Sequence, residues 1–397
     1  YHGMQCLSTI AANIPGTFVG TAPKTSFYLF RTEDVSSEYP IEEQNWATAM
    51  EKADSLGVDI TSTSLGYTQF DDASLNYTYA DMNGNTTISA RASDFASKKG
   101  MLVVAAAGNE GNNSWHYIAT PSDADSNLCV AAVNTSGQVA GFSSYGPSSD
   151  GQTKPAVAAV GVNAVVANLT NGQPDYNSGT SFACPNMAGI TTCLWQAFPE
   201  FNNMTIIDAL EASGTKAGTP DDRVGFGIPD AKKAFVMLVK KGYSGTVNLA
   251  GCNATIAFDV KLDNTTSINI ERKLPGETNY STITTLTHSG VFGMNHFSFN
   301  DDLTSASTGD IDYRLTMDIA TDTSFILDEL VVNYPVACYT PTSNNIKIGP
   351  NPVYTNLNVR IERITAARAT VIVVNSAGQK VYNSKMPKKE LQKAIFF

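Results

Sequence analysis

Residues 101–109 read MLVVAAAGN, seven small or apolar side chains in a row, closed by Gly108 and Asn109. A strand with one wet face alternates apolar and polar residues. A strand with no alternation must be covered on both faces, as in a parallel sheet between layers of helices. The neighbouring segments fit that demand. SFYLFR (26–31), VDITSTSLG (58–66), NLCVAAVN (127–134) and AVVANL (164–169) read as strands. Between them, EEQNWATAMEKADSLG (42–57) places Trp46, Met50, Ala53 and Leu56 on one helical face and stops at Gly57, and ISARASDFASKKG (88–100) is a helix ending at Gly100. SFACPNMAGITTCLWQAF (181–198) and NMTIIDALEAS (203–213) are two further helices. Alternating elements predict an α/β domain over residues 1–243, with a mainly parallel sheet in a three-layer arrangement.

After residue 243 the texture changes. TIAFDVKL, SINIER, NHFSFND, IDYRLTMD and FILDELVV alternate with period two between Asn, Gly, Thr and Asp clusters. They predict a β-sandwich over 244–339. YTPTSNN is a linker. A small all-β segment follows over 346–397, in which an Ala377-Gly378 turn joins two strands. The net charge of −11 argues against nucleic acid or an anionic membrane as a partner. No apolar run approaches the roughly 20 residues that span a bilayer. The six cysteines have no metal-ligand spacing. Cys252 and Cys338 could pair or be two thiols at strand ends. Cys6, Cys129, Cys184 and Cys193 lie in apolar stretches and read as small core residues. No metal site is assigned. Calcium is possible, but DDAS (71–74) and DADS (123–126) are as readily solvated loops.

Three stretches hold candidate chemistry: HGMQCLSTIAA with His2, VVAAAGNEG with Asn109, and NSGTSFACPNMAG with Ser181. A serine hydroxyl is a weak nucleophile that needs a base in reach and donors for the oxyanion that develops. A helix N-terminus offers unpaired N–H groups and the positive end of a dipole. Asn109 falls past the carboxyl end of a buried strand, where parallel sheets place ligands. Each residue alone has an ordinary reading: a surface His, an N-cap Ser, a turn Asn.

In order, HGMQCLSTIAA, TSLG, AAAGNEG, FSSYG and SGTSFACPNMAG resemble the signature blocks of subtilisin-like serine proteases, and DDRVGFGIPDAKKAF (221–235) resembles that family's closing segment. The resemblance covers roughly residues 1–240. It implies His2 as general base and acid, Ser181 as nucleophile, and Asn109 with the Ser181 N–H as the oxyanion hole. It implies Ser64, Leu65 and Gly66 as the edge that pairs with substrate backbone, and Ala106, Ala107 and Gly108 as the lining of the primary pocket. The implied product is a secreted or cell-surface endopeptidase acting on proteins or peptides.

The departures are specific. The family's catalytic Asp precedes the His block, and only Tyr1 precedes His2, so the chain reads as cut between the two blocks. Met4, Asn186, Ala156 and Phe182 stand where Thr, His, Asp and Met are common, and Cys6 resembles the thiol of the proteinase K branch. Residues 268–333 look like a β-sandwich module that trails secreted Bacteroidetes-type enzymes. IGPNPVYTNLNVRI and ATVIVVNSAGQKVYN resemble the sorting domain of the type IX secretion system, which implies that machinery as a partner. A rival reading is a catalytically impaired subtilase-fold surface binding protein. An esterase would want G-x-S-x-G, which GTSFA does not match.

Overall fold

The computed structural model describes residues 1–319 and 323–335, and beyond them the backbone of strands lying between 346 and 396. The chain divides into two units, Tyr1–Val239 and Lys240–Phe397.

In the first unit, helix α1 (His2–Ala11) is followed by a two-residue ladder, β1 (Asn13–Ile14) with β2 (Phe18–Val19). Helix α2 (Ile41–Ser55) leads into β3 (Ile60–Thr63), and α3 (Ile88–Lys98) into β4 (Leu102–Ala106). Then come β5 (Leu128–Val133), β6 (Val157–Val160), an antiparallel pair β7 (Ala164–Ala167) and β8 (Pro174–Asn177), α4 (Thr180–Ala197), α5 (Asn203–Ser213) and α6 (Ala231–Gly242), whose last three residues fall in the second unit. Strands β3-β4-β5-β6 form a parallel sheet in sequence order. All five residues of β4 are buried, as the unbroken apolar run requires.

Local signals explain the helices. Glu42 and Glu43 lie in the first turn of α2, where the helix dipole favours negative charge. Gly57 and Gly100 turn the chain at φ +74° and +104°, where a Cβ would be strained. The Thr87 hydroxyl caps α3 by accepting the Ala90 N–H. Trp46, Met50 and Ala53 of α2 pack with Ala96, Met101 and Val103. Leu56 departs from expectation: it follows the last helical residue and is exposed. Cys193 is likewise exposed, its thiol donating to the Thr21 carbonyl at 3.4 Å.

The expected strand at 26–31 does not form. Its residues belong to no ladder, and their backbone groups make no hydrogen bond among the described residues. Phe27, Tyr28, Leu29 and Phe30 are 38–72% exposed. A strand needs a ladder, and apolar β-formers cannot create one alone; no segment among the described residues pairs with 26–31. The first strand of the sheet, β3, pairs among the described residues only with β4, so its other edge has no partner there either.

In the second unit, β9 (Ser244–Ala250), β10 (Asn253–Leu262), β11 (Thr266–Lys273), β12 (Ser281–Thr287), β13 (Gly293–Asp302), β14 (Gly309–Ile319) and β15 (Thr323–Tyr334) form two antiparallel sheets, ordered β13-β10-β9 and β12-β11-β14-β15. Burial alternates along β10 and β14, with Ile256, Phe258 and Val260 inside on one and Ile311, Tyr313, Leu315 and Met317 on the other. Buried Asp301 is satisfied by Arg272 at 2.7 and 2.9 Å and by the Tyr313 hydroxyl at 2.7 Å. Further backbone is strand at β16 (Ile346–Gly349), β17 (Asn356–Ile361), β18 (Arg368–Val374), β19 (Lys380–Pro387) and β20 (Ile395–Phe396). Cys338 and the Ala377-Gly378 turn lie outside the described residues.

Amide hydrogen exchange checks the open segment. Residues 26–31 are expected to exchange like an unstructured peptide while Leu102–Ala106 stay protected. Equal protection of the two would mean that a partner strand covers 26–31.

Candidate active site

The site is built on the first turn of α4. Pro185 lies inside this helix and has no N–H to give the carbonyl four residues back, which is that of Ser181. Two side chains take that place. The Ser64 hydroxyl donates to the Ser181 carbonyl at 2.8 Å, and the Cys6 thiol donates to it at 3.3 Å. The proline thus frees an acceptor that ties α4 to α1 and to the segment after β3. Ser181 itself is 9% exposed, and its N–H has no acceptor among the described residues.

Asn109 is held from one side. Its Oδ1 accepts the Thr180 N–H at 3.0 Å and the Thr180 hydroxyl at 3.2 Å. A backbone N–H can only donate, so this contact fixes which end of the carboxamide is oxygen. The Asn109 NH₂ is left with no acceptor among the described residues. The Thr180 oxygen also accepts the Gly108 N–H at 3.2 Å, which joins the β4 loop to the helix start. Thr180 is a residue that sequence reasoning passed over, although it stands inside the GTS motif.

The other expected residues surround this turn. Gly66 and Gly108 share a neighbour, Ala119: a Cβ on Gly66 would meet the Ala119 methyl at 2.9 Å, and one on Gly108 would meet it at 3.8 Å. Gly108 also sits at φ +108°. Ala107 is fully buried with Ile118 and Cys129, and Ala106 is buried in β4. Leu65 packs against the Trp46 cluster, so only its backbone is free for the expected role. No local motif pointed to Ala119.

His2 lies in the same neighbourhood but is not hydrogen-bonded to Ser181. Its ring stacks edge-on to Phe182 at 5.9 Å, and its two nitrogens lie 4.0 and 3.7 Å from the Cys6 sulfur. Packing against these groups removes water and holds the His2 pKa below its usual value, and the nearby N-terminal charge adds to the effect. Among the described residues, no carboxylate contributes to that shift. Cys6 cannot stand in for one, because burial pushes its thiol up to about 11 and keeps it neutral.

A model of the subtilase family matches residues 1–227, more than half of the chain. The chain belongs to the subtilase family. It is 32% identical over 222 residues to Subtilisin NAT of Bacillus subtilis subsp. natto, a match covering 55% of this chain and 51% of that protein. It is 31% identical over 223 residues to a subtilisin of Bacillus pumilus, covering 55% and 71%. The chain thus spans about half the length of Subtilisin NAT. A PatG macrocyclase in complex with peptide aligns at 24% identity with a TM-score of 0.48, over 60% of this chain and 68% of that one.

The ionisation of His2 is measurable. In the 397-residue chain its NMR titration is expected to fall below pH 6.5. With the folded value below the unfolded one, the unfolded chain binds more protons between them. The stability His2 contributes is therefore complete above the unfolded pKa and lost as pH falls through the folded one. A titration above 6.5 would reveal an anionic neighbour.

Proposed function

We propose that this chain belongs to a secreted serine endopeptidase that hydrolyses peptide bonds through an acyl-enzyme. Ser181 attacks the scissile carbonyl. His2 takes its proton and returns it to the leaving amine. The Asn109 NH₂ and the Ser181 N–H receive the oxyanion. The backbone of Ser64, Leu65 and Gly66 pairs with the substrate, and Ala106, Ala107 and Gly108 line the pocket for the side chain before the cut bond. The observation that carries this reading is the clamp on Asn109. With its oxygen held by Thr180, the carboxamide turns its two N–H donors away from that contact, beside a nucleophile whose own N–H is unspent.

The carboxylate that would orient His2 belongs, in this reading, to a strand outside residues 1–397. Two observations support it: the open edge of β3, and the unpaired apolar segment 26–31. A parallel strand between them would restore both ladders and bring an acid to the base. The domain reading goes with it: peptidase over 1–243, β-sandwich over 244–339, and a sorting domain over 346–397 that would engage the type IX secretion machinery. The unanchored His2 ring favours one alternative, a catalytically impaired subtilase-fold binding protein on the cell surface.

With the required upstream strand supplied, Ser181 is expected to react with a fluorophosphonate probe, and Ser181→Ala to abolish labelling. Labelling that persists would point to another nucleophile, and none at all with the strand supplied would favour the binding protein. Asn109→Leu should lower kcat roughly 10²–10³-fold with KM little changed, a magnitude taken from subtilisin itself. The 397-residue chain alone should be far slower, since loss of the Asp costs subtilisin about 3 × 10⁴. Cleavage of casein at full rate by the chain alone would sink the missing-carboxylate reading.

A further inference from the structure

Glu33, Glu38 and Glu42 each offer a carboxylate oxygen, and the three oxygens lie within 4.8 Å of one another. The cluster is assembled by the loop that follows the unpaired segment and by the first turn of α2. Acidic clusters are common on protein surfaces. This one differs in having a buried orphan. Glu42 is 3% exposed, its Oε1 accepts the Asp34 N–H at 2.7 Å, and its Oε2 is buried with no hydrogen-bond partner among the described residues. A buried carboxylate oxygen without a partner is costly unless a cation or a donor meets it.

No basic side chain does so. Among the described residues, no Lys, Arg or His forms an ion pair with any of the three. Arg31, two residues before Glu33, donates instead to the Glu33 backbone carbonyl at 3.3 Å. Glu33 is held in place by the Thr32 and Tyr67 hydroxyls, both donating to its Oε1 at 2.7 Å. Glu38 is fixed through its backbone, with its N–H donating to Asp71 Oδ2 at 3.2 Å and its carbonyl accepting the Asp71 N–H at 3.0 Å. The Glu33 and Glu42 carboxylates are positioned by contacts that leave an oxygen to spare on each, and Glu38 is held through its backbone. Burial, then the charges of Glu42, Glu33 and Asp71, push the Glu38 carboxyl up to about 7.

We propose that Glu33, Glu38 and Glu42 form a calcium site. Ligands on opposite sides of a calcium ion, each at 2.3–2.6 Å, lie at most about 5 Å apart, while those of magnesium lie about 4 Å apart. Oxygens within 4.8 Å of one another can therefore meet one calcium ion, and three protein carboxylates exceed the one or two through which magnesium is usually held. An all-oxygen, all-carboxylate set is the donor chemistry of a hard cation and lacks the nitrogen or sulfur that selects zinc. Three carboxylates leave the remaining positions to water. The ion would tie residues 33–38 to the start of α2. Through Tyr67 it would also brace the chain that runs on from Ser64, Leu65 and Gly66.

Terbium, a luminescent calcium mimic, tests this in the 397-residue chain, because Tyr67 donates to Glu33 and is placed to sensitise bound Tb³⁺. Wild type should show tyrosine-sensitised emission that Ca²⁺ displaces and equimolar Mg²⁺ does not. Glu33→Gln and Glu38→Gln should each weaken binding about tenfold or more, as expected when one of few charged ligands is lost. Asp72→Asn, whose carboxylate caps the nearby Ser74 N–H, should leave it unchanged. Circular dichroism checks that each variant is folded. No sensitised emission from wild type, or emission that survives both Glu variants, overturns the site. Neither outcome depends on whether Ser181 reacts.

Discussion

The hydrogen bond that Pro185 removes organises the rest of the site. Without it, the Ser181 carbonyl is an acceptor inside a helix with nothing of its own helix to accept from. Ser64 and Cys6 reach it from two other segments. One residue earlier, Thr180 gives its N–H and hydroxyl to Asn109 and takes the Gly108 N–H. The start of α4 is therefore the node at which α1, the segment after β3 and the loop after β4 are all tied. Positions 2, 64, 109 and 181, remote in sequence, share a neighbourhood because each lies within a residue or two of this knot or is joined to it through Cys6.

Much of this was legible in the chain. The uninterrupted run at 101–107 required a strand covered on both faces, and β4 is that strand. The Gly57 and Gly100 stops fall where φ turns positive. The signature blocks pointed to the family and to the residues at the start of α4. Periodicity failed at 26–31 for a reason it could not contain: SFYLFR has the composition of a strand, but a ladder is a property of two segments, and only one is present among the described residues. Leu56 misled for a smaller reason, since helical spacing carries on past the residue at which the helix ends.

Other features were invisible to pattern. Ala119 has no motif, and it enters the site only because the sheet brings it between two glycines. The carboxylate cluster escaped because its members are spread over a loop and a helix start, whereas the acidic tetrapeptides that invite a calcium reading are otherwise engaged. Asp72 caps its own turn, and Asp123 accepts the Gly84 N–H through Oδ2, while its buried Oδ1 has no partner but belongs to no carboxylate cluster among the described residues. Local acidity in sequence was a poor guide. A buried, unpartnered oxygen within a cluster of carboxylates was a better one.

The open edge of β3 has a bearing on regulation. If the strand that fills it also carries the acid for His2, closing the sheet and completing the base are one event. The last ladder of the core would then act as a switch with a hydrophobic driving force. Cutting, displacing or withholding that strand would silence the chemistry without touching the nucleophile. A substitution in the sheet that loosens its seat would masquerade as a catalytic defect, lowering the fraction of assembled molecules while each assembled molecule turned over normally.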